Sequence, residues 1–392
     1  ATGAAYAVGR LSNVDGSVLV VLKLDGSTGA ILWRTDVPSS FTGGFAGNAW
    51  RLALDPAGAV IAGGSLAHDG RFTFAVLKFD AATGAELWRY EGRADTIDCH
   101  VNDVAVANHG DVAAAGYCHS GPGSTYGFTV AALAGGTGAE LWYSRTFTSG
   151  PPFEGTARGV TFDGAGDVIA TGYTALDFQH GHVTVAKFDG GDGDLRWQRR
   201  LPYGRGAFDT GIDVVVTPED DVVVAGKADV GVGSGGGEAI VVARLASADG
   251  AARWRQQLDS SSHVSGGGVA LDANADVLVV GSMSHTSSTP DVVVAKLDGD
   301  TGGSYTLTGG RLALRDHASR PDKRSLAVVV RNPSVPPPGS SGDPRIGGAT
   351  LTIANPDTGE SAVLPLPASR WSGIGSPSGS RGYRYVDGAQ AS

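Results

Sequence analysis

The sequence predicts an all-β chain, a β-propeller of four-stranded blades followed by a small C-terminal β module. Three observations predict it. A ten-residue stretch, LDGSTGAILW from Leu24 to Trp33, recurs with the same internal spacing from Phe79 to Trp88, Leu133 to Trp142, Phe188 to Trp197 and Leu245 to Trp254. A short apolar run ends in glycine at Gly9, Gly63, Gly116, Gly172, Gly226 and Gly281, at intervals of 53 to 56 residues. No stretch shows a helical period of useful length, and 61 glycines punctuate short β-branched runs.

Each unit reads as strands a, b, c and d. Strand a is RLALD from Arg51, DVAVA from Asp103, GVTFD from Gly159, DVVVT from Asp213 and GVALD from Gly268. A turn such as Pro56-Ala57-Gly58 or Asn108-His109-Gly110 leads into strand b, which ends at the recurrent glycine. Strand c, as in VLVVLKL, is apolar on both sides of the pleat, the pattern of a strand buried on both faces. The Asp-Gly-rich turn then reverses the chain, and strand d returns with its tryptophan. One such sheet leaves two apolar faces. Packing it between neighbours buries both, which is the physical reason for a ring of blades.

The repeats run about 1–40, 41–92, 93–147, 148–202, 203–259 and 260–310. The sixth, LDGDTGGSYT from Leu297, has Thr306 where tryptophan stands elsewhere. The first begins at strand b, so its strand a must come from later sequence, an upstream segment or another molecule. Six blades are countable and a seventh stays open. Residues 311–392 read as a sandwich-like β module with a proline-rich connector over 332–344 and a hairpin around Pro356-Asp357-Thr358-Gly359.

The AspXXThrGlyXXXTrp pattern resembles the tryptophan-docking repeat of PQQ-like propellers, and the longer unit resembles repeats of secreted bacterial seven-bladed propellers. Asp25, Thr28, Gly29 and Trp33 match it fully, as do Asp80, Thr83, Gly84 and Trp88; the third copy has Ala134 for Asp, and the fourth and fifth have Asp192 and Asp249 for Thr. The resemblance covers roughly residues 5–306. It implies a fold, because the motif joins blades in enzymes and non-enzymes alike.

Bulk properties narrow the function. A net charge of −10 argues against a phosphate-binding surface, and so against nucleic acid. No run of 18 apolar residues spans a membrane. Met283 is the sole methionine, so the chain starts as a processed or excised product would; an extracellular, cell-surface or periplasmic location is expected.

Several residue sets carry chemistry on paper. Cys99 and Cys118 lie about equidistant from the Asn108-His109-Gly110 turn, nearly opposite each other in an antiparallel hairpin. A disulfide, two buried thiols and a Cys₂His₂ zinc site with His100 and His119 are the three readings. Strand alternation puts the histidines on the other face and favours the disulfide. Seven of the nine histidines fall near b–c or d–a connections: His68, His100, His119, His180, His182, His263 and His285. Scattered surface histidines are the plainer reading. Asp189, Asp192 and Asp194 form an acidic turn that is a weak calcium candidate; it lacks the later glutamate of an EF-hand, and such turns need aspartate anyway. A basic residue recurs on strand c at Lys23, Lys78, Lys187, Arg244 and Lys296, read as a rim ion pair with the aspartate two residues on.

No GxSxG and no zinc-protease helix occurs, and the carboxylates sit mainly in turns. The expectation is a non-catalytic secreted propeller without cofactor. It would bind a protein or glycan partner through the face bearing the long Gly- and Ser-rich d–a and b–c loops. The alternatives are a subunit that assembles with itself by strand complementation, and a PQQ-dependent dehydrogenase.

Overall fold

The computed structural model describes residues 3–13, 16–39, 51–68, 71–93, 96–119, 126–146, 155–175, 181–203, 209–230, 237–261, 263–272, 275–284, 291–297 and 299. Beyond these it describes 304–307, 309–315, 325–330, 344–347, 349–354, 361–366, 368–374 and 382–385. The chain forms two compact units, residues 1–290 with 297–303, and residues 291–296 with 304–392.

The first sheet holds three antiparallel strands, β1 (Ala4–Asn13), β2 (Gly16–Asp25) and β3 (Ile31–Ser39), in that order. These are strands b, c and d. The next four sheets each carry four strands in chain order. They are β4 (Arg51–Leu54), β5 (Val60–His68), β6 (Arg71–Phe79) and β7 (Glu86–Tyr90); then β8 (Ile97–Val106), β9 (Val112–His119), β10 (Tyr126–Leu133) and β11 (Glu140–Thr146). The fourth is β12 (Gly155–Phe162), β13 (Val168–Ala175), β14 (Gly181–Phe188) and β15 (Leu195–Leu201). The fifth is β16 (Thr210–Val216), β17 (Val222–Asp229), β18 (Glu238–Leu245) and β19 (Ala252–Ser261). A sixth sheet orders β20 (His263–Leu271), β21 (Val277–Ser284), β22 (Asp291–Leu297) and β23 (Ser304–Leu307).

These sheets are blades. The first strands of successive sheets touch in series, β4 to β8 to β12 to β16 to β20, so strand a is the inner strand of each blade. Apolar clusters fill the spaces between blades. One joins Leu19, Val21 and Val37 of the first blade to Val60, Ala75 and Phe79 of the second, and another joins Phe74 and Trp88 to Val101, Val112 and Leu133. Strand c is buried almost throughout: all of β18 after Glu238 is inaccessible. Its valines and alanines pack against both neighbours, which explains an apolar run with no alternation.

Strand a bulges where it meets strand b. The register slips at Val101/Asp103, Ala157/Gly159, Gly211/Asp213 and Ser265/Gly268. The extra residue turns the inner strand and re-aims the side chain that follows.

The C-terminal residues form three two-stranded sheets, β24 (Gly309–Arg315) with β25 (Ser325–Val330), β26 (Ala349–Ala354) with β27 (Ser361–Leu366), and β28 (Trp371–Ile374) with β29 (Gly382–Tyr385). The β26–β27 hairpin spans the Pro356–Gly359 turn read from the sequence. One helical turn, α1 (Pro344–Gly347), begins at the last proline of the connector, where a fixed φ suits a first helical position. The connector, residues 332–343, lies outside the described residues.

Candidate binding face

The two ends of each blade are built differently. At the end carrying the c–d turns, one joint is repeated. Each tryptophan leaves its own blade: Trp33 Nε1 donates to Ala81 O at 3.1 Å, Trp88 to Gly135 O at 3.0 Å, Trp142 to Gly190 O at 2.9 Å, Trp197 to Ser247 O at 2.8 Å and Trp254 to Gly299 O at 2.9 Å. The indole lies on the turn glycine of the next blade. Gly138 has φ +71°, and a Cβ there would come within 2.5 Å of the Trp88 ring; Gly193 and Trp142 repeat this at 2.6 Å. Only glycine meets both demands.

The strand-c cations belong to the same joint, and here the sequence reading is corrected. Lys78 Nζ donates to Gly135 O and to Asp55 Oδ2, both at 2.7 Å. Lys187 reaches Ser247 Oγ at 3.1 Å with Asp163 at 2.6 Å, and Arg244 reaches Gly299 O at 2.7 Å with Asp221 at 2.9 Å. The ion-pair partners sit in the a–b turn of the same blade, not two residues further along strand c. The strand-c turn aspartates cap their own turns instead. Asp25 Oδ1 accepts from Ser27 N, Ser27 Oγ, Thr28 N and Thr28 Oγ1, which holds its carboxyl at about 2. Asp189 Oδ1 accepts from Gly191 N and Asp192 N, its other oxygen pairs with Arg196, and Asp192 accepts from Asp194 N. Asp189, Asp192 and Asp194 are thus an acidic turn closing on itself. Among the described residues no cluster of three or more His, Cys, Asp or Glu could hold a metal.

At the opposite end, where d–a and b–c connections leave, the described residues differ between blades. On the third blade Cys99 and Cys118 are joined as a disulfide with Cα atoms 4.1 Å apart, buried against Phe74 and Val101. Both cysteines are therefore taken from any zinc set. His100, paired with Tyr117, and His119, paired with Tyr126, enter a row of rings instead. Centroids lie 5.3 Å apart for Phe72–His100, 4.9 Å for His100–Tyr117, 4.8 Å for Tyr117–Tyr126 and 3.9 Å for His119–Tyr126. Burial pushes the His100 imidazole down to about 4, outweighing the nearby Asp98 carboxylate, so the ring is neutral near pH 7. Asp98 itself sits at φ +48°, just before the disulfide.

Between the fourth and fifth blades lies a second polar set. Asp209 Oδ1 accepts from Asp229 N at 2.8 Å, and Asp209 N donates to Gly181 O. Asp209 Oδ2 and the Tyr203 hydroxyl are buried with no hydrogen-bond partner among the described residues. Burial raises the Asp209 carboxyl to about 6. On the inner strands, Asp103 Oδ2 accepts from Val160 N at 2.9 Å and Asp213 Oδ2 from Val269 N at 2.8 Å, each reaching across to the next blade. Burial raises both, Asp103 to about 6.

His68 ends β5, and His182 and His263 lie on strands near the same end. His180, His285 and most of the glycine-rich loops, including residues 40–50 and 120–125, fall outside the described residues. Sequence reasoning missed Phe72, Tyr117 and Tyr126 as one row, because a strand-end aromatic looks like any core residue until its register is known. It also missed Tyr203 and Asp209, which no motif marks.

Residues 2–123 match the sequence family described as outer membrane protein assembly factor BamB. No curated protein matches the chain. Among solved structures, BamB from Moraxella catarrhalis is 16% identical with a TM-score of 0.39, covering 76% of each chain. A polysaccharide lyase of family PL25, an ulvan lyase, is 11% identical with a TM-score of 0.51, covering 78% of this chain and 80% of that one. Quinohemoprotein alcohol dehydrogenase from Comamonas testosteroni is 13% identical with a TM-score of 0.45, covering 78% of this chain and 60% of that one. The repeat in register and the four-stranded blades give the chain a β-propeller fold with a PQQ-like repeat, and the family match covers its first third.

Proposed function

We propose that the protein is a secreted, non-catalytic binding protein that engages a protein or glycan partner through the end of the propeller where the d–a and b–c connections leave. The observation carrying this is the contrast between the two ends. At the c–d end the recurrent polar groups are consumed by blade-to-blade bonds, as in Lys78 with Asp55 and Gly135 O. At the other end the described residues differ from blade to blade, with a row of rings ending in the exposed Tyr126 on the third and the buried pair Asp209 and Tyr203 between the fourth and fifth, and such an end is where a fold used as a scaffold places specificity. The BamB likeness is consistent with a protein partner and an envelope location.

The quinone that this repeat accompanies in dehydrogenases is not part of the proposal. The inner carboxylates Asp103 and Asp213 already accept backbone N–H groups, and the two cysteines stand 19 residues apart rather than adjacent. A second reading, assembly by strand complementation, draws on β1, which pairs only with β2 among the described strands.

Hydrogen exchange with and without the extracellular fraction of the source tests the proposal. Protection should gather at residues 68–72, 117–126 and 200–210. Protection confined to the c–d turns, or to β1, would overturn it, the latter in favour of assembly. Quinone absorbance in protein purified from its source would overturn the non-catalytic reading.

A further inference from the structure

We propose that the aromatic row on the third blade is a stacking site for a neutral glycan, with Tyr126 as the platform on which one pyranose ring lies. This rests on the loop-end binding reading and names its ligand class. Tyr126 is 36% exposed, and among the described residues it is the only aromatic side chain among the exposed large apolar ones. Its ring is held rather than loose. Tyr117 meets it edge-on at 81° and His119 at 68°, while His100 and Phe72 continue the row behind. The Cys99–Cys118 disulfide ties β8 to β9, the strands of His100, Tyr117 and His119, and β10 pairs with β9 so that Tyr126 stands opposite His119. A rigid ring with two torsions loses little entropy when a ligand covers it.

The chemistry around the ring selects the ligand. A pyranose presents a C–H face to an aromatic face and hydroxyls around its rim. Tyr126 is the exposed ring of the row, His119 packs against it, and the exposed Asp98 follows Ile97, the residue paired with His119. A protein hot spot would need an apolar surround that excludes water, and the exposed aliphatic residues of the first five blades instead concentrate at the c–d end, as at Leu32, Leu87 and Leu141. A quaternary ammonium would need rings around a void, whereas these rings touch one another. An anionic sugar would need a cation turned toward it; the cation at the row, Arg145, is half-buried and donates Nη1 to His119 O, and Asp98 places a negative charge beside His100.

The test uses the full chain and defined probes: cellohexaose, xylohexaose, mannohexaose and chitohexaose, with tetragalacturonate, choline and an uncharged peptide library as comparisons. Saturation-transfer NMR should show at least one neutral hexaose bound, with transfer strongest to the C–H protons of one pyranose face. Tyr126→Ala should weaken that binding roughly tenfold, and Tyr126→Phe should keep it, since the hydroxyl is not the stacking group. Leu87→Ala, at the other end, should leave it unchanged. Melting curves establish that each variant is folded. Absence of binding by all four hexaoses at about 10 mM, a concentration that detects even mM affinity, would overturn the inference. So would binding indifferent to Tyr126→Ala, or Tyr126-dependent binding of choline, peptide or galacturonate in place of the neutral sugars. Loop-end exchange protection by a protein partner, with no sugar bound, would sink the glycan assignment and leave the wider binding reading standing.

Discussion

Asp209 keeps one carboxylate oxygen on the Asp229 amide, and the other, in a residue 1% exposed, has no partner among the described residues. Its carboxyl, raised to about 6 by burial, is easier to protonate folded than unfolded. The stability it contributes is full below about 4 and is lost as pH rises through about 6. Asp209→Asn keeps an acceptor for Asp229 N and removes the charge. We expect it to raise stability at pH 8 by about 1–3 kcal/mol, the upper figure being the whole rise from 3.8 to about 6, and to do nothing near pH 4. Thermal melts at the two pH values check this. His100 works the other way. Its folded pKa of about 4 lies below the ordinary 6.5, so its contribution is full above 6.5 and is lost as pH falls toward 4. His100→Phe keeps the ring row and abolishes titration. The urea stability of wild type should fall by up to ~3 kcal/mol more than that of the variant across this window. Asp103, raised to about 6, slopes oppositely over the same range, so the difference between variant and wild type is the readout.

At the scale of elements, the tryptophan joint fixes which changes hurt. Gly138→Ala puts a methyl into the Trp88 ring and strains a φ of +71°, and should cost roughly 3 kcal/mol or more by denaturant unfolding. Lys78→Met strips Asp55, whose side chain is 7% exposed, of its partner cation; a loss of about 3–5 kcal/mol is expected, partly restored by adding Asp55→Asn. Reducing the disulfide should cost about 3 kcal/mol, the loop-closure value for 19 residues, seen as a lower melting temperature with reductant. The motif spacing made the turns legible in the sequence: Asp25, Thr28, Gly29 and Trp33 stand where the turn needs them. It did not show that Trp33 bonds to Ala81, 48 residues away, or that Lys78 pairs backwards with Asp55. Such contacts cross between strands and blades, and local spacing carries no information about them.

For the whole molecule, β1 has one side that no described strand pairs, and what lies against it decides between a single copy and an assembly. If the protein acts alone, light scattering should give one mass, that of a monomer, at every concentration. A mass that grows with concentration would favour strand complementation between copies.

The sequence alone determined the class of fold, because a four-stranded unit with two apolar faces must be stacked, and a period of about 54 residues repeats that requirement. It also determined the places of the turns, since each needs glycine or aspartate at a definite position. Tertiary structure alone decided what the charged and aromatic residues do. Bulges on strand a reset the alternation that sequence reasoning counts on, so the partners of Asp103 and Asp213 are amides of the next blade. Strand pairing across the b–c connection set Tyr126 beside His119, and pairing across the a–b turn set Tyr117 beside His100. Which rings meet, and which carboxylate is left unpaired, depends on distances between residues far apart in the chain, and only folding fixes those.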